Sequence, residues 1–509
     1  MSWQDETDEI HRRRARALEM GGPDAIARQH NKGRLTVRER IDALLDPDTF
    51  DEIGRGAGAL GEDGFEPANY VLGFGRIDGR RVVVGGEDFT LRGGSPSAAG
   101  FRKSVYAEDV ALQHRVPLIR LHEGAGGSVG GSVKASLPAP VFDPARFKSV
   151  AETLATIPVA TAAMGAVAGL PAGRLVASHF SVMSKSTAQV LTAGPAVVAR
   201  AMGEQVTKEE LGGAQVHTKN GTVDNGAEDE AACCAQIRAF LAYMPDNIWS
   251  LAPIGPQDDP VDRTEDTLLD IVPRDRRKAF DMRKLLGMVL DRGSLFETGR
   301  GYGRSQITGL ARMNGQVVGV WANDGRHLAG SMTADGAMKA RRFLETCQTF
   351  HLPILSFVDE PGFMIGSQAE REATIRHGAA AALTAAMVTV PWASVTIRRS
   401  FGVAQVAHYG PDGYVLAWPS AEVGPLPVEG GVAVAFHREI AAAPDPEAKR
   451  RELEEELAKK QSPFPRAEAF AVHELIDPRE TRPELCRWID RIQPLLEHEL
   501  GPSSFTYRP

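Results

Sequence analysis

Cysteine is scarce: Cys233, Cys234, Cys347 and Cys486 are the only four in 509 residues, with one adjacent pair and no CxxC. That pattern excludes a disulfide framework and a cysteine zinc site, and it leaves buried thiols as the expectation. Side-chain catalytic signatures are missing as well. There is no HExxH helix and no GxSxG elbow, and His122, His179, His217, His351, His377 and His408 are scattered without metal spacing. Long apolar runs are absent: residues 157–170, among the longest, fall short of a bilayer span and are rich in Ala and Gly. The N-terminal MSWQDETDEIHRRRARALEM is charged throughout and lacks the apolar core of a secretory signal. A cytoplasmic protein with no membrane partner is expected. A net charge of −8 gives no general attraction to nucleic acid.

What the chain does contain is an internal repeat. Arg76-Ile77-Asp78-Gly79 returns as Arg312-Met313-Asn314-Gly315, Gly94-Ser95 as Gly330-Ser331, and Val116-Pro117-Leu118-Ile119 as Leu352-Pro353-Ile354-Leu355, all at one step (312−76 = 236). Pro158-Val159-Ala160 and Gly169-Leu170 return as Pro391-Trp392-Ala393 and Gly402-Val403 at nearly the same step (391−158 = 233). A duplicated domain with two related sites follows, and two related sites suit a transfer between two carriers. The length agrees, being too great for one core.

Each copy reads as strand, turn, strand, loop, helix, strand. In the first, strands over 73–77 and 81–85 flank an Asp78-Gly79 turn, Gly93-Gly94-Ser95 opens a loop, a helix follows over 98–114, and a buried strand covers 116–122. The second places its helix over 335–350 and its strand over 352–359. This alternation predicts an α/β protein of stacked βαβ units with ligand loops at strand ends. Pro253, Pro256, Pro260 and Pro273 among charges mark residues 247–280 as an interdomain linker, so the expected domains are 1–255 and 256–509.

Gly-rich segments follow the predicted strands. Glu123-Gly124-Ala125-Gly126-Gly127-Ser128-Val129-Gly130-Gly131 has GxGxxxG spacing and no acidic residue at the distance a nicotinamide site requires, which favours a loop near a ligand. Met164-Gly165-Ala166-Val167-Ala168-Gly169-Leu170-Pro171 and Arg398-Arg399-Ser400-Phe401-Gly402-Val403-Ala404 both run from a β-prone stretch toward a helix. Backbone N–H groups at such a turn point outward together and stabilise an oxyanion such as a thioester enolate. The same glycines also allow plain close packing, and the residues alone leave both readings open. Ala337-Met338-Lys339-Ala340 approximates the box in which lysine carries biotin. That box belongs on a hairpin of a small β domain, whereas Lys339 falls in a helix with apolar spacing, so attachment here is not expected.

In chain order, Ala27-Arg28-Gln29-His30 with LTVRERIDALLDPDTFDEI, GEDFTLRGGS, TKEELGGAQVHT, ITGLARMNGQVVGV, FVDEPGFMIGSQAE, IRHGA, AWPSAE and Ile476-Asp477-Pro478-Arg479-Glu480-Thr481-Arg482 span nearly the whole sequence. Together they resemble the carboxyltransferase β subunits of biotin-dependent acyl-CoA carboxylases, the propionyl-CoA, acetyl-CoA and methylcrotonyl-CoA types. The resemblance implies two tandem crotonase-like domains, the N-terminal one binding the acyl-CoA thioester and the C-terminal one of a neighbouring subunit binding carboxybiotin. It implies a separate α subunit with the biotin carboxylase and biotin carrier, no biotin attached to this chain, and a homo-hexamer within an α6β6 holoenzyme. Two oxyanions then need two oxyanion holes. Position by position, the acyl-CoA hole falls on the N–H groups of Gly169 and Leu170 and the biotin hole on those of Val403 and Ala404, with Val406, Gly94, Ser95, Gly126 and Gly127 beside the substrate.

The chain departs from the family pattern near these positions. A usual Gly-Gly-Ala reads Gly169-Leu170-Pro171 and Gly402-Val403-Ala404, and Leu and Val restrict φ where glycine does not. The family's Ala-Arg-Ile-Gln-Glu reads Gly127-Ser128-Val129-Gly130-Gly131, an Asp of propionyl-type members reads Val406, and Met-Gly reads Leu426-Pro427. The expectation is a carboxyltransferase for an unusual acyl-CoA. Alternatives are the reverse reaction in a biotin-dependent decarboxylase, or a non-catalytic assembly partner. Proline at Gly169 or at Ala404 is expected to remove a donor without unfolding the protein.

Overall fold

Val82-Val83-Val84 in the first copy and Val317-Val318 in the second are apolar at consecutive positions, which a strand sustains only when both of its faces are covered. All five are buried. The computed structural model describes residues 2–61, 64–126 and 145–509. The chain divides into two units, one reaching Ser250 and including Thr506–Pro509, the other Leu251–Phe505.

The first unit is built on an eight-stranded sheet in the order Asp51–Glu52, Tyr70–Ile77, Arg80–Glu87, Leu118–Gly124, Val159–Ala168, Phe180–Ser184 and Asn225–Ala227, with Gln189–Leu191 also pairing Val159–Ala168. The first three strands are antiparallel and the rest parallel. The second unit repeats this plan with Phe296–Thr298, Gln306–Met313, Gln316–Asn323, Ile354–Glu360, Trp392–Phe401, Tyr414–Ala417 and Glu474–Leu475, and with Glu422–Gly424 also pairing Trp392–Phe401. Even the register repeats: Leu118 pairs Val159 in one sheet and Ile354 pairs Trp392 in the other. The α/β tandem expected from the sequence is therefore present.

Local chemistry explains the crossover helices. Ala98–His114 begins where the Ser97 side chain accepts from Gly100 N, and Ala334–Thr349 where the Thr333 side chain accepts from Gly336 N. These caps sit one repeat step apart and fix where each loop turns into its helix. Capping boxes at Thr36 with Glu39 and at Thr207 with Glu210 start two further helices, Val37–Leu44 and Lys208–Gly212. The proline-rich stretch is fastened to the second unit by backbone groups: Arg312 donates to Pro253 O at 2.8 Å, Gly255 N to Gly315 O at 2.8 Å, and Arg482 to Pro260 O at 2.8 Å. Tyr507 returns to the core of the first unit beside Leu118, Val159 and Ile157.

All four thiols are free and buried. Burial pushes Cys486 up to about 11, so at neutral pH it behaves as a small apolar residue. No helix among the described residues is long and apolar enough to cross a membrane. Lys339 lies inside the helix Ala334–Thr349, 5% exposed, its ammonium donating to the carbonyls of Gly299, Tyr302 and Gln306 at 2.8, 3.1 and 2.7 Å.

Candidate active site

Both sheets carry the same irregularity. Register shifts between His122 and Gly124 in the first and between Val358 and Glu360 in the second. Such a shift re-aims the residue inside it. The residues inside are Glu123 and Asp359, both fully buried carboxylates. Arg34 and Arg40 pair with Glu123 at 3.0 and 2.7 Å, and the Gln29 amide donates to it as well. Arg40 also bridges to Glu230 at 2.7 and 2.8 Å. Asp359 takes bidentate contacts from Arg398, at 3.1 and 2.9 Å, and from Arg399, at 2.7 and 2.8 Å. Burial raises the carboxyl of Asp359, but the hydrogen bonds and charges of Arg399 and then Arg398 outweigh it and hold its pKa below the usual range.

Above Glu123 the loop and turn residues meet. Asn69 donates to Ser95 O at 2.6 Å, Ser95 Oγ to Gly126 O at 3.0 Å, and Ala125 N to Gly93 O at 3.1 Å. Gly94 lies so close to the strand end that a Cβ would stand 2.6 Å from Glu123 O. A Cβ on Gly169 would stand 2.9 Å from Gly126 Cα. Three of the residues expected beside the substrate, Gly94, Ser95 and Gly126, are thus brought together with Gly169, one of the expected backbone donors. Gly127 lies outside the described residues, as do Ser128, Val129, Gly130 and Gly131. In the second unit Gly330 takes the place of Gly94, with Asp359 O 3.1 Å from its ideal Cβ, and Arg399 donates to Ala329 O at 2.7 Å.

The turns differ in how they continue. Gly169, at φ +68 and ψ −134, is the N-cap of the helix Leu170–Val176, with Pro171 at its second position. Only glycine adopts that φ readily. The first N–H groups of a helix have no acceptor within it, and Pro171 removes the one beyond Leu170. Gly402, at φ +65, precedes Val403 at φ −75 and ψ −28, which caps the short 3-10 helix Ala404–His408. Val403 sits in an ordinary right-handed conformation, so the restriction expected of a β-branched residue there does not arise. The positive φ stays on the glycine in both turns. Gln405 pins the second turn, donating to Gly402 O at 3.0 Å and accepting from Ser400 Oγ at 2.7 Å. A Cβ at Gly402 would meet only Pro425 O, at 3.7 Å, so this side of the turn is open.

Ala404 is fully buried, whereas Val403 and Val406 are 64% and 56% exposed and form, with exposed Leu426, an apolar ledge beside the turn. Two histidines that look scattered in the sequence are fully buried against carboxylates. His122 faces Glu87 at 3.2 Å, and His408 faces Glu360 at 3.4 Å while stacking on Trp321. Sequence reasoning missed these pairs and both arginine clusters. The LTVRER string and the Arg398-Arg399 doublet carry the arginines, but nothing local marks them as ligands of a buried carboxylate.

Residues 28–492 match the carboxyl transferase domain family. The chain is 36% identical over 498 residues to the carboxyltransferase subunit of propionyl-CoA carboxylase from Haloferax mediterranei, covering 95% of each. It is 31% identical over 490 residues to the α subunit of methylmalonyl-CoA decarboxylase from Veillonella parvula, covering 94% of each. Among solved structures, the transcarboxylase 12S hexamer with methylmalonyl-CoA and methylmalonic acid bound is similar at a TM-score of 0.88 and 29% identity, over 97% of this chain and 96% of that one.

Proposed function

The chain belongs to the carboxyl transferase family, as a carboxyltransferase of the acyl-CoA carboxylase type on a tandem crotonase-like fold, and from that premise we propose that its first unit holds an acyl-CoA thioester and its second holds carboxybiotin. One observation carries the proposal: a positive-φ glycine, Gly169 in the first unit and Gly402 in the second, stands at the end of the equivalent strand and leads into a helical turn. The amides of Gly169 and Leu170 donate to the thioester oxygen as charge develops on it. Those of Val403 and Ala404 donate to the ureido oxygen of biotin, and the open side of Gly402 leaves room for such a ring. When bound, carboxybiotin supplies the carboxyl group and takes up the α-proton. Preorganised backbone donors cost no reorganisation during the reaction, which is why this chemistry can proceed without a signature side-chain base.

Biotin is carried by a separate α subunit with biotin carboxylase and biotin carrier functions. The burial of Lys339 and its bonds to three carbonyls support this, because they leave its amine no freedom to carry the cofactor. Assembly is a hexamer within an α6β6 holoenzyme, by likeness to the hexameric 12S relative, and residence is cytoplasmic. The substrate carries an apolar acyl group, since Val406 stands where propionyl-type members place an Asp. Gly94, Ser95 and Gly126 of the first unit contact it, together with Val406 of a neighbouring subunit.

The reverse direction is the second reading, favoured by the decarboxylase relative. The same two turns serve it. Reconstitution with the biotinylated α subunit and an acyl-CoA panel, using radiolabelled bicarbonate, tests both. Label is expected in a carboxyacyl-CoA. Release of CO2 from carboxyacyl-CoA with no labelled product in the forward direction would replace carboxylation by decarboxylation.

A further inference from the structure

Away from the two turns, the first unit contains a cavity of about 560 Å³ between the helix Ala98–His114 and the segment that follows the edge strand Asp51–Glu52. Its apolar wall is formed by Ile53, Ala57, Leu72, Phe101, Val105 and Tyr106. Among the described residues one amine enters it, Lys103, which is half-buried and donates a long hydrogen bond, 3.3 Å, to Gly54 O. A lysine in a globular protein ordinarily keeps its ammonium in water or against a carboxylate. Here the nearby carboxylate, Glu52, is already held by Arg38 at 2.9 and 3.1 Å and by Arg55 at 3.2 Å.

We propose that Lys103 is a self-acylation site, taking an acyl group from a coenzyme A thioester and seating the chain against this apolar wall. The neutral amine attacks the thioester carbonyl, the N–C bond forms, the C–S bond breaks, and the amine's proton leaves with the thiolate as free coenzyme A. Geometry favours the product: a neutral amide and an alkyl chain suit a cavity where an ammonium lacks a free partner. Cations stand nearby for the donor's phosphates. Arg13, Arg14 and Arg55 line an adjoining depression that shares Gly54 with the cavity, and Arg102 lies on the cavity rim.

The reactive form is available near neutral pH. Burial pushes the Lys103 amine down to about 8, with Glu52 opposing and Arg38 and Arg55 adding to the shift. Of the other titratable groups at the cavity, Asp109 has its own carboxyl raised by burial, and Tyr106 shares the helix face. At pH 7.5 about a quarter of such amines are neutral, against about one in a thousand for an ordinary lysine. Lowered basicity reduces intrinsic nucleophilicity, so the net advantage is smaller than that ratio.

The choice of a coenzyme A donor rests on the acyl-CoA reading above, whereas the reactivity of Lys103 does not. The intact protein is therefore incubated at pH 7.5 with butyryl-CoA and, separately, with the butyryl thioester of N-acetylcysteamine, which lacks the nucleotide. Occupancy is read by peptide mass spectrometry against exposed Lys32, Lys208 and Lys278. Lys103 is expected to exceed the mean of those three by ~10-fold or more with either donor, and the excess should shrink at least ~3-fold at pH 9.5, where ordinary lysines begin to lose their protons. Occupancy no higher than the reference lysines with both donors overturns the proposal, as does an excess that does not fall with pH. Carboxyl transfer is assayed on the same preparation after reconstitution with the biotinylated α subunit, so acylation of Lys103 without transfer activity in the reconstituted enzyme would count against the function above and leave this site standing.

Discussion

The two units share a fold, a register shift and a buried carboxylate at the same place, yet they neutralise that carboxylate by different means. Asp359 is paired by Arg398 and Arg399 on the adjacent strand Trp392–Phe401. Glu123 is paired by Arg34 and Arg40, which arrive from the N-terminal helical segment 89 residues earlier in the case of Arg34. The strand position matching Arg398 at the 233-residue step is Gly165, and a Cβ there would collide with the Glu123 carboxylate. A charge placed by the backbone was thus kept in both copies, while its partners were supplied by whichever segment could reach. In the first copy this ties the N-terminal helices to the floor of the candidate site. In the second the sheet is self-sufficient.

The comparison is most exposed to Arg40. Removing one partner of a buried ion pair costs about 3–5 kcal/mol, and Arg40 holds both Glu123 and Glu230. Arg40→Met should therefore lose that much in urea unfolding, whereas Arg399→Met should lose roughly half, because Arg398 still reaches both oxygens of Asp359. Equal losses would show that the two clusters do the same structural work.

The turns come next. Proline at Gly169 is excluded by its φ of +68, and Ala404 is fully buried behind a right-handed Val403, a conformation that a following proline disfavours. The variants expected from the sequence would damage the fold, and their neighbours serve better. Leu170→Pro occupies a first helical position, where proline is preferred, and Val403→Pro replaces an exposed side chain at φ −75. Each deletes one N–H. Each should lower kcat by about 10²–10³ with little change in Tm. Leu170→Pro should affect every acyl-CoA reaction, and Val403→Pro the biotin-linked step while acyl-CoA binding persists in calorimetry. Wild-type rates in both would reduce the turns to packing features.

A smaller change is expected at the ledge. Val406→Asp should alter relative kcat/KM among acetyl-, propionyl- and butyryl-CoA by about tenfold, the scale of one to three kcal/mol in a pocket contact. Constant ratios would detach the ledge from substrate choice.

The subtlest test is acid. Because the folded-state pKa of Asp359 lies below 3.8, its contribution is complete above that value and is lost as pH falls through the lowered one. Four of the six tryptophans, Trp321, Trp392, Trp418 and Trp488, lie buried in the second unit, while Trp3 and Trp249 of the first are exposed, so the change in tryptophan fluorescence on unfolding comes mainly from the second unit. Asp359→Asn should flatten the dependence of unfolding on pH below 3.8. An unchanged acid limb would assign that dependence to other carboxylates.

Much of the fold was legible because its instructions are local. The apolar strands and the glycines of the two turns are each written within a few residues, where sterics and short hydrogen bonds act, and the repeat writes them twice. The sequence by itself determined the duplication and the α/β class, and it marked the glycines of the two turns. It misjudged Val403, since the strain feared for a β-branched residue depends on a φ that Gly402 already absorbs. Only the tertiary structure decided that Ser95 would meet Gly126, that His122 and His408 would pack beside carboxylates, and that Arg34 and Arg40 would neutralise Glu123. The reason is physical: a buried charge must be compensated by any cation that chain closure can deliver. No periodicity in the sequence encodes which distant segment that will be.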